Sequence, residues 1–113
     1  PRPHNSGHQT IEANITSQYE QHLRAVCNMP LGDTTLVIPV VMVNILGEKG
    51  YSGSVRYEGL DQVLQIPGAY VHLYGKSETK PFRKMGHCTV VNVELEAAKA
   101  NARKVLSTLK VIA

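Results

Sequence analysis

The chain opens with a short segment, PRPHNSGH, whose side chains could hold or transform a small ligand. His4 could act in a ligand pocket as a proton carrier or a hydrogen-bond donor, with Asn5 and Ser6 beside it. A surface loop whose side chains cap a neighbouring helix is the alternative. A metal site made by His4 and His8 is disfavoured, because Gly7 interrupts the helix that would turn both imidazoles to one face. The segment therefore indicates a polar binding or proton-transfer site.

A second segment, residues 72–87, concentrates positive charge, with four cations against one acid. The cations are Lys76, Lys80, Arg83 and Lys84. Arginine offers a planar fork and lysine a mobile point charge, and proteins use both to hold phosphate. Gly75 and Gly86 flank the loop, where we expect the backbone to come close to another group. A solvated hairpin tip is the alternative, and it is our interpretation of Lys80.

These two segments predict that the chain is a scaffold that brings them together around a small phosphorylated molecule. The net charge is +3, and the basic excess lies in one loop. A nucleic-acid surface usually shows a basic stripe with interleaved aromatic residues, which make up 5% of this chain. The sequence has no phosphate-binding glycine loop, no Ser-His-Asp spacing and no paired carboxylates placed to hold magnesium. It thus indicates anion binding without a recognisable catalytic motif.

Length and composition indicate one globular domain or part of a larger protein. The chain has 113 residues, of which 42% are hydrophobic. It has no run of the roughly 18 apolar residues that a membrane helix needs. No secretory signal opens it, and the missing initiator Met indicates that the first residue marks a cut. Cys27 and Cys88 sit in apolar patterns, which predicts buried, reduced thiols and a cytoplasmic protein.

The remaining sequence predicts the elements that would position both segments. Residues 1–15 are typical of a loop or a short extended segment, and Ser17 followed by Glu20 is a capping signature for a helix. Asn92 is the expected N-cap of a second helix, whose apolar residues recur at helical spacing. Runs of β-branched residues and alternating patterns predict strands. The predicted helices are 17–28 and 93–109, with one turn in 57–65; the predicted strands are 40–46, 70–75 and 87–91.

The last two predicted strands flank the basic loop and should pair antiparallel, which would hold the cations at one end of a sheet. His72 and His87 lie on these strands and are expected to be hydrogen-bonded core histidines, whereas His22 is expected to be exposed. Together the elements predict an α+β fold, in which two main helices cover a small antiparallel or mixed sheet.

Several dense motifs, in their order and spacing, resemble a known family. These motifs are PRPHNSGH, TSQYEQHLRAV, PLGD, VMVNILG, HLYGK and RKMGH. They are similar to the C-terminal portion of 5-(carboxyamino)imidazole ribonucleotide synthase, an ATP-grasp enzyme of purine biosynthesis. The resemblance extends over nearly the whole chain and implies a barrel-like β-sheet domain of the rudiment hybrid-motif type, with covering helices. It also implies two parts: the end of an ATP-grasp domain at 1–28 and a C-terminal β-rich domain at 29–113.

The resemblance implies an ATP-dependent carboxylation. In this family ATP and bicarbonate form carboxyphosphate, and the carboxyl group passes to the exocyclic amine of aminoimidazole ribonucleotide. ATP and Mg²⁺ would be bound mainly by upstream parts of the enzyme. The implied enzyme is cytoplasmic, binds neither nucleic acid nor membrane, and can form a homodimer. The 113 residues alone are expected to be inactive.

The resemblance also assigns roles to individual residues. Arg2 would contact the carboxyphosphate or the nucleotide phosphates, and His4 would sit near the carboxyl group that is transferred. Asn5 and Ser6 would shape the pocket, and no residue of the chain would ligate a metal. The cations that would hold the 5′-phosphate of the ribonucleotide are Lys76, Arg83 and Lys84.

Two alternatives stay open at this point. Another ATP-grasp carboxylase or ribonucleotide ligase could share the same C-terminal domain and differ only in its substrate. A non-catalytic module could instead use the basic loop to bind nucleic acid or an acidic partner. Salt-dependent binding to mixed-sequence DNA would support this second alternative.

Overall fold

The structure, a computed structural model, describes residues 2–113 and is built around one three-stranded sheet. A 3₁₀ helix covers Asn5–Gln9. The α-helices are α1 Thr10–Ala13, α2 Gln18–Val26, α3 Leu60–Leu64 and α4 Leu95–Thr108. The strands are β1 Val40–Leu46, β2 Gly53–Ser54, β3 Arg56–Glu58, β4 Ala69–Leu73, β5 Glu78–Thr79, β6 Lys84–Val91 and β7 Lys110–Ile112.

The central sheet has the order β1-β6-β4, and both of its strand pairs are antiparallel. Its strands carry the β-branched residues that favour a pleated, half-buried surface. β1 has the predicted bounds, and the predicted antiparallel pairing around the basic loop is confirmed, with His72 opposite His87. The antiparallel pairs β2-β5 and β3-β7 lie outside this sheet. The predicted α+β class with small antiparallel sheets is confirmed, although no barrel closes within residues 2–113.

One face of the central sheet carries the hydrophobic core. α4 lies across β1 and β6 and turns Ala98, Ala102 and Val105 inward, at the spacing of a single helix face. The buried core consists of Ile45, Val63, Ile66, Met85, Cys88, Val90, Ala98, Ala102, Val105, Leu109 and Val111. This layer of helix on sheet contains most of the buried apolar side chains, so it is the main source of stability.

The start of α4 differs from the prediction. The helix begins at Leu95 with Glu94 as its N-cap, so the prediction that Asn92 caps it was wrong. The Asn92 side chain instead accepts a hydrogen bond from the Glu94 backbone N–H at 2.9 Å. Asn bonds its neighbouring backbone both in such turns and in helix caps, and the sequence does not distinguish between them.

The opposite face of the sheet is covered by residues 2–17, which we call the N-terminal segment. The prediction of a loop was wrong, because this segment forms the 3₁₀ helix and α1. Thr10 Oγ1 donates to the Gly7 carbonyl at 2.6 Å and holds the turn between them. Gly7 lies against α2, and an added Cβ there would require the Gln18 side chain to move. Packing, and not helix propensity, therefore shapes this segment.

The helix α2 follows its capping signal but does little to cover the sheet. The Ser17 hydroxyl accepts a hydrogen bond from the Glu20 backbone N–H at 3.1 Å, as the sequence predicted. None of the residues of α2 is buried, so α4 supplies the cover of the sheet. Cys27, just after α2, is exposed, and the prediction that it is buried was wrong; Cys88 is buried as predicted.

Four short strands were not predicted: β2, β3, β5 and β7. Each has only two or three residues, which is too short for a periodic pattern to show. The predicted turn of helix within 57–65 is present as α3. Among the described residues, none of the helices is long and apolar enough to cross a membrane.

Candidate functional site

The two segments that the sequence singles out meet at one hollow, which we call the polar cleft. It has a volume of about 410 Å³ and is lined by Arg2, Pro3, His4, Asn5 and Lys84. The N-terminal segment supplies all of these except Lys84, which is the first residue of β6. Two permanent cations thus face the same space as an imidazole and an amide. Such a set of donors suits an anionic ligand.

The imidazole of His4 is held by the turn that follows it. The backbone N–H of Ser6 donates to His4 Nδ1 at 3.2 Å, and Ser6 Oγ lies 3.0 Å from the same nitrogen. His4 is therefore the N-cap of the 3₁₀ helix, because its side chain satisfies a donor that the helix leaves free. The alternative prediction that the side chain of His4 caps a helix is confirmed. Its other ring nitrogen, Nε2, stays available to the cleft.

The other predicted cations of the basic loop reach the cleft only in part. Lys76 Nζ donates to the Lys84 carbonyl at 2.6 Å, which places its ammonium beside the lysine of the cleft. Arg83 Nη1 donates to the Glu78 carbonyl at 3.0 Å, within the loop. Lys80 is exposed, as predicted. The structure thus brings Lys84 to the cleft wall and Lys76 next to it, while the guanidinium of Arg83 binds the loop's own backbone.

The basic loop is not a free hairpin tip. Its strand β5 pairs with β2, and the Phe82 backbone N–H donates to the Gly47 carbonyl at 2.8 Å. Gly86 allows β4 and β6 to approach, because an added Cβ would collide with the His72 carbonyl. The close approach expected there involves a neighbouring strand and not a ligand. Gly75 has a φ of +73° with open space around it, so it serves the turn.

Three imidazoles form what we call the ring stack, on the sheet face that the N-terminal segment covers. The rings of His8 and His87 have centroids 4.3 Å apart and planes inclined by 5°. His87 lies in turn against His72, with centroids 4.5 Å apart and planes inclined by 21°. The strand register brings His72 and His87 together, and the 3₁₀ helix adds His8. The ring stack therefore joins the N-terminal segment to the central sheet.

Hydrogen bonds fix both strand histidines of the ring stack. The Tyr74 hydroxyl lies 3.0 Å from His87 Nδ1, and Glu12 Oε1 of α1 lies 2.5 Å from His72 Nε2. The prediction of a hydrogen-bonded core histidine is confirmed for His87, which is 2% exposed. His72 is bonded but only partly buried. The sequence did not predict that His8 stacks on His87, because tertiary packing that no local pattern records brings the two rings together.

Burial lowers the pKa of two imidazoles in the ring stack. The pKa of His87 falls to about 4, first because burial penalises the charged ring and then because His8 and His72 stand beside it. The pKa of His8 is lowered by burial and, to a smaller extent, by His72 and Lys84. His87 is therefore uncharged near neutral pH, and its ring faces can pack without charge repulsion.

The face that carries the ring stack also buries polar atoms at a cost. Several of them have no hydrogen-bond partner within residues 2–113, namely His8 Nδ1, Glu12 Oε2, Asn44 Oδ1, His87 Nε2 and Thr89 Oγ1. An unpaired buried polar group costs roughly 1–3 kcal/mol. Such departures from good packing are expected at functional sites, where position matters more than stability.

Two further observations limit the chemistry of the described residues. In residues 2–113, no group of three or more His, Cys, Asp or Glu side chains is placed to hold a metal ion. Another cavity, of about 320 Å³, lies between β1 and α4, and its walls are mostly apolar, including Val43, Phe82 and Leu109. None of the predicted site residues lines it, so the polar cleft is the better match for a phosphorylated ligand.

Comparison with known proteins identifies a family model that matches residues 40–101, described as the phosphoribosylaminoimidazole carboxylase C-terminal domain. The chloroplastic phosphoribosylaminoimidazole carboxylase of Vigna aconitifolia is 48% identical over 104 residues. That match covers 89% of this chain but 19% of the Vigna protein.

Solved structures show the same relation. The chain is similar to N5-carboxyaminoimidazole ribonucleotide synthetase from Thermotoga maritima, with a TM-score of 0.97 and 57% identity, over 100% of this chain and 32% of that one. It is also similar to N5-carboxyaminoimidazole synthase from Aspergillus clavatus in complex with ADP and 5-aminoimidazole ribonucleotide, with a TM-score of 0.80 and 35% identity. This second match covers 94% of this chain and 28% of the Aspergillus chain. The chain thus spans from about a fifth to a third of the length of these proteins.

Proposed function

Because this chain belongs to the phosphoribosylaminoimidazole carboxylase C-terminal domain family, we propose that it is the C-terminal part of an ATP-dependent ligase of purine biosynthesis. The ligase carboxylates aminoimidazole ribonucleotide with bicarbonate through carboxyphosphate, and it releases ADP and phosphate. The activity belongs to the longer protein, and this chain contributes one wall of its site. The Thermotoga and Aspergillus enzymes support the proposal through their likeness to 100% and 94% of this chain, respectively.

One observation carries the proposal: Arg2, His4, Asn5 and Lys84 line a single polar cleft. Residues 82 positions apart in the sequence are brought to one space, and the side chains that line it include the cations Arg2 and Lys84. A ribonucleotide and carboxyphosphate are both anions, so a cleft that bears two cations attracts either of them.

The roles of the residues follow from their places around the cleft. Lys84 binds the 5′-phosphate of the ribonucleotide, assisted by Lys76, whose ammonium is held beside it. Arg83 joins them once its guanidinium leaves the Glu78 carbonyl. Arg2 contacts the carboxyphosphate or the nucleotide phosphates.

The remaining two roles concern the turn at the start of the chain. Asn5 and Ser6 shape the pocket, and His4 faces the carboxyl group that is transferred.

The proposal also divides the chain into two parts. Residues 1–28 form the end of an ATP-grasp domain, and residues 29–113 form the C-terminal β-rich domain.

ATP and Mg²⁺ complete the reaction, and the described residues fit them unequally. The cations of the polar cleft suit the phosphates of a nucleotide, and ATP supplies the phosphoryl group that activates bicarbonate. A magnesium ion prefers carboxylate oxygens, and within residues 2–113 no cluster of acids is placed to bind it. We therefore assign Mg²⁺ and most contacts to ATP to parts of the enzyme outside this chain, which alone should neither hydrolyse ATP nor carboxylate.

The proposal includes the setting in which the enzyme works. A cytoplasmic location is supported by the two free cysteines, Cys27 and Cys88, since reducing compartments keep thiols unpaired. The enzyme acts on small molecules and not on nucleic acid, and the full-length protein can form a homodimer.

A chimera tests the function directly. These 113 residues would replace the matching 32% of the Thermotoga maritima enzyme, which is 57% identical to them. ADP formation would be measured as aminoimidazole ribonucleotide and bicarbonate are varied. We expect activity that depends on both, and we expect Lys84→Ala to raise the KM for the ribonucleotide about 10- to 100-fold, since a charge-assisted hydrogen bond contributes roughly 1.5–3 kcal/mol.

The matched control is Lys80→Ala, which removes the same charge from an exposed position of the same loop. Its KM should equal that of the unsubstituted chimera. Equal effects of the two substitutions would reject a specific phosphate site at the cleft. Salt-dependent binding of mixed-sequence DNA together with no response to the ribonucleotide would favour a nucleic-acid module instead.

A further inference from the structure

The hydrogen bond between Ser6 and His4 restricts which nitrogen of the imidazole carries the proton. The backbone N–H of Ser6 lies 3.2 Å from His4 Nδ1 and can only donate, so Nδ1 must offer its lone pair. The Ser6 hydroxyl, 3.0 Å from the same nitrogen, can donate to it as well. A neutral imidazole has one proton, and it must then lie on Nε2.

We propose that Ser6 fixes His4 as the neutral tautomer with its proton on Nε2, so that His4 donates a hydrogen bond to the anionic group in the polar cleft and does not act as a base there. The inference rests on the proposed function for the identity of that group, an oxygen of the carboxyl group being transferred. Toward that carboxyl group Ser6 is a positioning residue, because it acts on it through His4.

The geometry opposes the alternative of a general base. A base at the cleft would need the lone pair on Nε2 and the proton on Nδ1. In that arrangement the Nδ1–H would point at the backbone N–H of Ser6. Two donors would then face each other, and the hydrogen bond from Ser6 to His4 would be lost. Within residues 2–113, Nε2 makes no hydrogen bond, so its N–H is free to meet a ligand.

A neutral donor also suits the charges already in the cleft. Arg2 and Lys84 supply two positive charges there. A neutral N–H adds a directed hydrogen bond to an oxygen without a third charge that would repel the first two. Fixed donors aimed at developing negative charge are a large source of catalysis, because they need no reorganisation during the reaction.

Nitrogen-15 NMR of the imidazoles in the 113-residue chain tests the tautomer without any activity. Spectra are recorded near pH 8, about 1.5 units above the ordinary histidine pKa, and His4 is assigned by the loss of its signals in His4→Gln. We expect a pyridine-like Nδ1 and a pyrrole-like Nε2. His22 is the internal control, because it is exposed and its ring makes no hydrogen bond within residues 2–113; its two nitrogens should show an exchange-averaged mixture. A protonated Nδ1 in His4, or a pattern equal to that of His22, overturns the proposal.

Two substitutions at Ser6 test its part. Ser6→Ala keeps the backbone donor and should leave the His4 tautomer unchanged. Ser6→Pro removes the N–H at the second position of the 3₁₀ helix; the His4 pattern should then move toward that of His22. An unchanged pattern in a folded Ser6→Pro chain overturns the role of Ser6. Should that chain not fold, the spectrum of the unsubstituted chain still decides the tautomer.

The chimera described above tests the role of His4 as a donor. His4→Gln keeps an N–H near the position of Nε2, whereas His4→Asn keeps only a group near the position of Nδ1. We expect kcat to be about tenfold higher or more for His4→Gln than for His4→Asn, since one hydrogen bond to a charged group is worth roughly 1.5–3 kcal/mol. Equal losses overturn the donor role. An inactive unsubstituted chimera that still shows the expected His4 spectrum counts against the proposed function and not against the tautomer.

Discussion

The two faces of the central sheet serve different ends. On one face, α4 and β6 enclose apolar side chains, and Val90 and Ala98 are fully buried there. On the other face, the N-terminal segment covers His87 and several polar atoms that have no partner within residues 2–113. Apolar burial stabilises a fold by roughly 25 cal/mol per Å², whereas unpaired polar burial costs free energy. The α4 face therefore stabilises the protein, and the ring-stack face positions the polar cleft.

This division makes a general prediction about substitutions. Changes on the α4 face should alter the free energy of unfolding and leave ligand affinity unchanged. Changes on the ring-stack face should alter ligand affinity or pH dependence more than stability at neutral pH.

Leu109→Ala should have the largest effect on stability. Leu109 is 7% exposed in the core, and its truncation should lower the free energy of unfolding by about 3–4 kcal/mol, the typical cost of a Leu→Ala cavity. Leu106→Ala is the control, since this residue of α4 is 51% exposed and should cost less than about 1 kcal/mol. Urea denaturation gives both values. Equal losses would mean that this face is not the stabilising core.

Acid should destabilise the protein through His87. Its folded pKa of about 4 is below the ordinary value of 6.5, so the unfolded chain binds more protons between these limits. Stability is therefore fully present above about pH 6.5 and falls as the pH drops toward 4. A shift of this size corresponds to about 3 kcal/mol as an upper value.

His87→Phe isolates this contribution, because a phenyl ring keeps the packing and cannot titrate. Unfolding free energies would be measured for both chains at several pH values, and the difference between them carries the signal, since carboxylates titrate alike in both. We expect the difference to change by about 2–3 kcal/mol between pH 7 and pH 4. If the unfolding free energies of the two chains changed with pH in parallel, a neutral and buried His87 would be contradicted.

His8→Ala should weaken ligand binding through the N-terminal segment. The substitution removes the ring that packs on His87, and the polar cleft should lose its fixed wall. We expect the affinity of the chimera for aminoimidazole ribonucleotide to fall about tenfold. This change corresponds to about 1.4 kcal/mol, which is close to the upper end of the range for an aromatic pair. Titration calorimetry measures it. His8→Phe keeps the ring and should bind as the unsubstituted chimera does; equal losses would show that the ring faces are not the cause.

Ser17→Ala should have the smallest effect on stability, because it changes the cap of α2 and neither face of the central sheet. The Ser17 hydroxyl caps α2, and its loss should cost about 1 kcal/mol of stability. Ser107→Ala is the control, because the Ser107 hydroxyl bonds only the Lys104 carbonyl of its own helix. Thermal unfolding should show a lower stability for Ser17→Ala than for Ser107→Ala. An unchanged stability of Ser17→Ala would mean that the cap does not stabilise the protein.

Elements that carry their own pattern could be predicted from the sequence. β1 has the predicted bounds because its β-branched run is long, and α2 starts where Ser17 and Glu20 predict it. The pairing of β4 with β6 followed from two strands that flank one loop. In each case the signal lies within a few residues, and tertiary packing agrees with it.

The N-terminal segment could not be predicted, because its shape depends on distant partners. Gly7 rests on Gln18, and His8 rests on His87, so neither contact leaves a mark in the local sequence. The same reason limits the prediction of the basic loop. Lys76, Arg83 and Lys84 were expected to converge on a phosphate, yet β5 pairs with β2 and Arg83 bonds the loop backbone. Lys84 lines the polar cleft as the first residue of β6, a strand that the sequence predicted to begin only at residue 87.

The seat of Gly7 against α2 has a mechanical consequence. The first residue of α2, Gln18, donates its backbone N–H to Thr10 Oγ1 at 2.9 Å, and Thr10 Oγ1 donates to the Gly7 carbonyl at 2.6 Å. Two short links therefore connect a surface helix with the turn that carries His4. We therefore expect a partner that binds the exposed side of α2 to act on that turn, and so on the position of the His4 imidazole, through these two hydrogen bonds.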